Sequence, residues 1–337
     1  MRPIANPPNP FQKQNTQYFE GVAPSAKLEV YLDHTKSILA ENDSPDLAFR
    51  WSINPYRGCQ HACAYCFARP GHEYLDFGAG TDFDTKILVK ERAPDLLRES
   101  FKKKSWEGEP IFFSGNTDCY QPLEACYEIT RRCLEVCLEF GNPVGLVTKS
   151  FLVIRDLELL QALHERTHLS VYMSIPFLDE TKSRKMEPMA ASIKKRFEAL
   201  EKLASAGIPC GVLIAPIIPG LNDSDIGGIM KEAARSGAQW AEPILLRLPG
   251  SVKDVFIERL RQHFPGEVQK IIGRIRQVRG GKLYDSRFGE RYRGQGPYWD
   301  NLHQMFGVFA KKYGLNQAVN LPERRPFSRP TQQRELF

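Results

Sequence analysis

Alternation of strand-like and helix-like segments through the middle of the chain constrains its fold more than any other feature. Apolar, β-prone runs at 51–57, 85–90, 111–114, 144–148, 169–175, 210–215 and 244–248 read as strands. Stretches at 94–104, 124–140, 156–165, 190–206, 223–236 and 252–263 read as helices. A strand followed by a helix and then another strand argues for parallel pairing with right-handed crossovers. The expected class is α/β, with functional groups gathered where the strands end.

At 337 residues the chain can bury one large core with small additions. Its net charge of +6 permits an anionic partner without demanding one. Residues 1–12 hold four prolines and no apolar core, so no signal peptide is expected. Eight cysteines in such a chain read as free thiols in a reducing cytoplasm rather than as a disulfide framework. No membrane segment is expected, since the best apolar run, 212–218, is far too short.

Chemistry concentrates at Cys59, Cys63 and Cys66, within Asn54-Pro55-Tyr56-Arg57-Gly58-Cys59-Gln60-His61-Ala62-Cys63-Ala64-Tyr65-Cys66. The C-x3-C-x2-C spacing supplies three thiolates, enough for three irons of a 4Fe-4S cluster. A cluster that only carries electrons usually has four cysteines. Three leave one iron open to a substrate. Two other readings use the same residues. Positions i, i+4 and i+7 would form a stripe on a helix, although Pro55 and Gly58 favour a loop. A zinc site would need His61 or His72 as fourth ligand, and no second C-x2-C pair completes a zinc knuckle. Cys126, Cys133 and Cys137 recur at helical spacing and read as core, as does Cys210.

The cysteine segment resembles the cluster motif of the radical S-adenosylmethionine enzymes. The resemblance implies that the open iron chelates S-adenosyl-L-methionine through its amino and carboxylate groups. Reductive cleavage of the sulfonium then yields methionine and a 5′-deoxyadenosyl radical, which abstracts hydrogen from the substrate. The implied fold is an open (β/α)6 partial TIM barrel, which six main strand–helix units suit. Ser114-Gly115-Asn116-Thr117-Asp118 follows the strand at 111–113. Family members often carry Gly-Gly-Glu there to receive the methionine ammonium. This chain has one glycine and no glutamate, leaving Gly115 for close backbone approach and Asp118 for the charge; a plain turn is the alternative. Lys149 resembles a partner for the methionine carboxylate, against an ordinary solvated lysine. Ser174 would reach a ribose hydroxyl. Arg196 would reach the same carboxylate or form a surface ion pair. Ala215, between Ile214 and Pro216, resembles an apolar wall against adenine, and Tyr65 would stack nearby or pack in the core.

The order of these pieces is similar to one branch, the spore photoproduct lyase-like radical proteins, over about residues 45–315. Segments 54–59, 65–70, 114–124, 147–149, 215–220 and 276–294 carry the likeness. The repair enzyme of that branch uses a cysteine in its active site. Cys119 is the candidate hydrogen donor here, although its place after Asp118 does not match cleanly, and an inert buried thiol is the alternative. The expected division is a disordered tail over 1–24, the barrel over 25–265, a basic cap over 266–318 and a flexible tail over 319–337.

In the cap, Arg274, Arg276, Arg279, Lys282, Arg287, Arg291 and Arg293 outnumber Asp285 and Glu290, with Tyr284, Phe288, Tyr292, Tyr298 and Trp299 interleaved. Such a surface suits nucleic acid, or a solvated lid on an open barrel. The final Gln333-Arg334-Glu335-Leu336-Phe337 resembles the Gln-x-x-Leu-Phe peptide that docks bacterial replication and repair proteins on the sliding clamp; chance composition is the alternative. The leading expectation is a radical enzyme acting on a damaged or modified DNA base, fed by an electron donor such as flavodoxin or ferredoxin. Radical modification of a protein or peptide is the second. A non-catalytic iron–sulfur or zinc module that binds nucleic acid is the third.

Overall fold

The computed structural model describes residues 6–11, 27–47, 49–318 and 327–330. Its strands are β1 (Glu29–Leu32), β2 (Leu39–Glu41), β3 (Trp51–Ile53), β4 (Tyr56–Arg57), β5 (Lys86–Val89), β6 (Ile111–Phe113), β7 (Val144–Thr148), β8 (Leu169–Ser174), β9 (Cys210–Ile217) and β10 (Trp240–Leu245). Its helices are α1 (Thr81–Thr85), α2 (Ala93–Lys102), α3 (Glu124–Tyr127), α4 (Ile129–Phe140), α5 (Leu157–Arg166), α6 (Glu180–Met186), α7 (Ile193–Ser205), α8 (Ile226–Arg235), α9 (Val252–His263), α10 (Val268–Gln277) and α11 (Pro297–Lys312). The main sheet runs β10-β9-β8-β7-β6-β3-β2, parallel throughout except for β2. The outer strands β10 and β2 lie at opposite edges, so the six parallel strands form an open, partial barrel.

Covered on both faces, the central strands are almost continuously apolar: β9 is buried at Cys210, Gly211, Val212, Ile214, Pro216 and Ile217. Helix α4 buries Ile129, Cys133, Val136, Cys137 and Phe140 at helical spacing. Its Phe140 ring meets Phe101 of α2 edge-on at 5.4 Å. Gly141, at φ 67°, ends α4 in the left-handed conformation that glycine adopts without steric cost.

Several boundaries differ from expectation. The strand expected over 51–57 is two strands in two sheets, because Pro55 has no N–H to extend a ladder. The strand expected at 85–90 pairs with β1 and β4 in a separate three-stranded sheet. The last barrel strand lies at Trp240–Leu245, earlier than 244–248, because its register with β9 begins at Trp240 opposite Gly211. The apolar run continues past the sheet into buried Leu246 and Leu248. The helix expected over 124–140 breaks at Glu128, which turns left-handed at φ 49°. That break rotates Cys126 into solvent, whereas Cys133 and Cys137 are buried as expected.

Part of each terminal stretch docks on the barrel. Asn9 is buried and donates to the Glu73 and Phe77 carbonyls. Phe327 stacks on Phe140, and Arg329 donates to the Lys103 and Trp106 carbonyls. The remainder of 1–24 and of 319–337, including Gln333, Leu336 and Phe337, lies outside the described residues. Among the described residues no helix is long and apolar enough to cross a membrane.

Candidate functional site

The cysteine loop after β4 and the loops at the ends of β6 to β10 surround one cavity of about 180 Å³. Among the residues singled out from the sequence, Cys59, Cys63, Tyr65, Cys66, Ser114, Asn116, Thr117, Asp118, Lys149, Ser174 and Ala215 line it. They come from separate loops, so only the parallel sheet brings them together.

The cysteine loop is held from several sides. The Cys59 N–H donates to the Phe83 carbonyl at 3.0 Å, and the Ala64 N–H to that of Met186 at 2.9 Å. Arg69, fully buried, donates twice to the Cys63 carbonyl, at 2.8 and 3.0 Å, and pairs with Asp84 at 2.9 Å. Burial pushes the Cys63 thiol up to about 12 against the pull of Lys149. Burial also raises Cys66, with Arg69 pulling the other way. These thiols therefore stay protonated until a metal takes the proton's place, and nearby cations then offset the thiolate charge. Such a donor set fits an iron–sulfur cluster. Among the described residues no three His, Cys, Asp or Glu side chains converge as ligands of a single ion would. A cluster takes one cysteine per iron and needs no such convergence. His72, weighed as a zinc ligand, is buried with Nε2 2.8 Å from the Lys86 carbonyl and does not line the cavity.

The 114–118 loop is tied to the strand before the cysteines. Asn54 Oδ1 accepts from the Asn116 N–H at 2.7 Å, and the Thr117 hydroxyl donates to the Tyr56 carbonyl at 2.8 Å. Gly115 faces away from the cavity, since a Cβ there would lie 3.1 Å from Ser52 Cβ. Asp118 accepts from the Thr148 hydroxyl at 2.7 Å, the Lys149 N–H at 2.8 Å and the Tyr120 N–H at 2.9 Å. His61 Nδ1 stands 3.2 Å from its Oδ2, close enough for an ion pair but without hydrogen-bond alignment. Burial would raise the Asp118 carboxyl, but the His61 charge and these donors outweigh it and hold it at about 2. Asp118 is thus a fixed negative charge that clamps two loops together.

A second network runs from the cavity wall to Glu187 and Arg196 behind it. Lys149 Nζ donates to Ser174 Oγ at 3.0 Å and stands 3.9 Å from Glu187. The Ser174 hydroxyl donates to the Ala215 carbonyl at 3.2 Å. Glu187 pairs with Arg196 at 2.6 Å and accepts from the Tyr65 hydroxyl. Burial would lift the Glu187 acid, but Arg196 and then Lys149 hold it below its ordinary range. Arg196 is 1% exposed, so the surface ion pair weighed from sequence is instead a buried one. Glu187 escaped sequence reasoning because it follows α6, a helix the apolar pattern did not mark. Asn54 was visible beside Pro55, but nothing local revealed its partner loop.

Cys119 lies behind the wall rather than on it. It has no exposed surface, and its N–H donates to Ser114 Oγ at 2.9 Å. Returning hydrogen to a ligand in the cavity would require a movement of this loop. Arg247 and Tyr292, not singled out as cavity residues from sequence, also line the cavity. In the cap, Arg279 and Trp299 are buried, so these two serve the lid rather than an exposed platform.

The family profile described as Radical SAM superfamily matches residues 53–233. An uncharacterised protein of Mycobacterium tuberculosis (strain ATCC 25618 / H37Rv) is 35% identical over 234 residues, covering 69% of this chain and 68% of that one. A protein of Pseudomonas phage M6, named a radical SAM Nalpha-GlyT isomerase, is 23% identical over 273 residues, covering 80% of this chain and 53% of that one. In fold, the chain is similar to spore photoproduct lyase complexed with dinucleoside spore photoproduct, with a TM-score of 0.57, 19% identity and coverage of 85% of this chain and 80% of that one.

Proposed function

Since the chain belongs to the radical SAM superfamily, we propose that its cavity cleaves S-adenosyl-L-methionine reductively and directs the resulting radical at a nucleic-acid base. Its cofactors are those of the superfamily, a 4Fe-4S cluster and S-adenosyl-L-methionine. The observation that carries this reading is the convergence of Cys59, Cys63 and Cys66 with Asp118, Lys149 and Ser174 on one cavity. The three cysteines would hold the cluster. When bound, the cluster and its ligand supply a 5′-deoxyadenosyl radical for hydrogen abstraction.

The chain's own residues bind and orient. Lys149, braced by Ser174 and Glu187, offers its ammonium to the methionine carboxylate. Asp118 has committed its oxygens to protein donors, so it attracts the methionine ammonium through its field rather than as a dedicated acceptor. Ser174, whose proton goes to the Ala215 carbonyl, offers its remaining lone pair to a ribose hydroxyl, while Ala215 and Tyr65 bound the adenine side. A nucleic-acid substrate is favoured by the arginines and aromatics of the cap beside the rim. A flavodoxin or ferredoxin would donate the electron in the cytoplasm.

Anaerobic reconstitution tests the proposal. The protein should turn brown and release 5′-deoxyadenosine and methionine, faster with DNA than without. Alanine at Cys59, Cys63 or Cys66 should remove colour or cleavage. Stoichiometric zinc with no reconstitutable iron would refute the chemistry. Cleavage stimulated only by a protein or peptide would refute the substrate.

A further inference from the structure

We propose that Arg247, clasped between Phe67 and Tyr292, receives a phosphate of the substrate at the cavity rim; this rests on the nucleic-acid reading above. Arg247 follows β10, and all three residues line the cavity. Its guanidinium carbon lies 4.9 Å from the centre of the Phe67 ring and 4.6 Å from that of Tyr292. Its Nη1 donates to the Tyr292 hydroxyl at 2.8 Å. A planar cation held between rings keeps its orientation and leaves donors free at its edge. Its Nε is buried without a hydrogen-bond partner among the described residues.

Three arginines of the cap are already occupied. Arg291 pairs with Asp46 at 2.6 Å and Arg287 with Asp285 at 2.7 Å. Arg279 donates to the carbonyls of Leu246, Glu290, Arg291 and Arg293 at 2.7–2.9 Å. Arg279 thereby pins the loop that presents Tyr292. It also adds a second guanidinium near Arg247; burial, with a smaller push from Arg247, draws Arg279 down to about 10 against the pull of Asp285. Arg247 makes no ion pair with a carboxylate among the described residues, and such a cation at the cavity rim calls for an anion from outside. On the nucleic-acid reading that anion is a phosphodiester, whose oxygens match the guanidinium fork. Phe67 directly follows Cys66. A phosphate on Arg247 therefore holds its nucleoside beside the cysteine loop.

The test uses reconstituted holoenzyme with bound S-adenosylmethionine and a fluorescein-labelled single-stranded DNA oligonucleotide. Anisotropy is followed from low to physiological salt for wild type, Arg247→Gln and Arg247→Lys. Arg247→Gln should bind about tenfold more weakly and lose about one from the slope of log affinity against log salt. Arg247→Lys should keep that slope with intermediate affinity, since it keeps the charge and loses the fork. Affinity for S-adenosylmethionine, by equilibrium dialysis, should stay within about twofold in both, which also reports folding. Wild-type affinity and slope in Arg247→Gln would overturn this assignment and leave the nucleic-acid reading standing. Loss of S-adenosylmethionine binding in its place would make Arg247 a cofactor ligand and equally overturn it. A wild type that cleaves S-adenosylmethionine but binds no oligonucleotide would remove the nucleic-acid reading and the phosphate with it.

Discussion

Asp118 and Glu187 are buried acids that neighbouring charges and donors keep ionised, and this gives stability a pH dependence. Asp118 sits at about 2 against an ordinary 3.8, which is worth roughly 2 kcal/mol. Its folded value is the lower one, so the contribution is complete above about pH 4 and is lost as pH falls through about 2. Urea unfolding of cluster-free protein across acid pH should show this slope, and Asp118→Asn should flatten it. Glu187→Gln should cost more at neutral pH, about 3–5 kcal/mol, because it leaves the Arg196 cation buried without its counter-charge. A loss under about 1 kcal/mol in the same experiment would mean that Arg196 finds another partner. With Cys119 sealed behind the wall, Cys119→Ala should retain both S-adenosylmethionine cleavage and product identity. Aberrant product from that variant would restore its role as hydrogen donor.

At the scale of elements, the break between α3 and α4 shows why a continuous helical pattern was misleading. Glu124 is fully buried and accepts from the Thr130 N–H at 2.9 Å and the Arg131 N–H at 3.2 Å. Its carboxylate thus satisfies donors in the first turn of α4, which a continuous helix would give to its own carbonyls. The same carboxylate accepts from Arg155 at 2.8 Å and from the Tyr56 hydroxyl. Glu128 carries the conformational cost, since a side chain at φ 49° crowds the backbone. Glu128→Gly should therefore raise stability by about 1 kcal/mol. The Arg155 contact it loses, at 3.7 Å, is half-exposed and weak. A lower thermal midpoint in the variant would show that this contact outweighs the strain.

Across the whole molecule, the open side of the barrel is bridged by a latch. Asp46, between β2 and β3, holds Arg291 at 2.6 Å and the Gly289 N–H at 2.6 Å. The Leu245 N–H, in β10, donates to the Tyr292 carbonyl at 3.3 Å. Opposite sheet edges thus share one loop. Asp46→Ala should speed hydrogen exchange over 287–293 while β7 to β9 keep their protection. The terminal peptide gives a separate prediction. Leu336 and Phe337 would bury two apolar side chains in a clamp pocket, worth roughly 3–6 kcal/mol before ordering costs. Micromolar affinity is the expected result of titrating the tail peptide against the clamp. Leu336→Ala with Phe337→Ala should abolish it and spare S-adenosylmethionine cleavage. Equal, negligible binding by both peptides would remove the clamp as a partner.

Local order was legible because it is written locally. Strand–helix alternation determined a parallel α/β sheet, and the spacing of Cys59, Cys63 and Cys66 carried the resemblance to one chemistry. The family resemblance singled out Asp118, Lys149, Ser174 and Ala215, and their places at strand ends, which share a face by topology, agreed with it. What faces the cavity and what stands behind it was decided only in three dimensions. Gly115 turned toward Ser52, Arg196 withdrew to a buried pair, and Cys119 was sealed. Asn54, Glu187, Arg247 and Tyr292 took their places through partners distant in the chain. Burial and long-range pairing depend on the packing of whole elements, and no periodicity of a single segment records them.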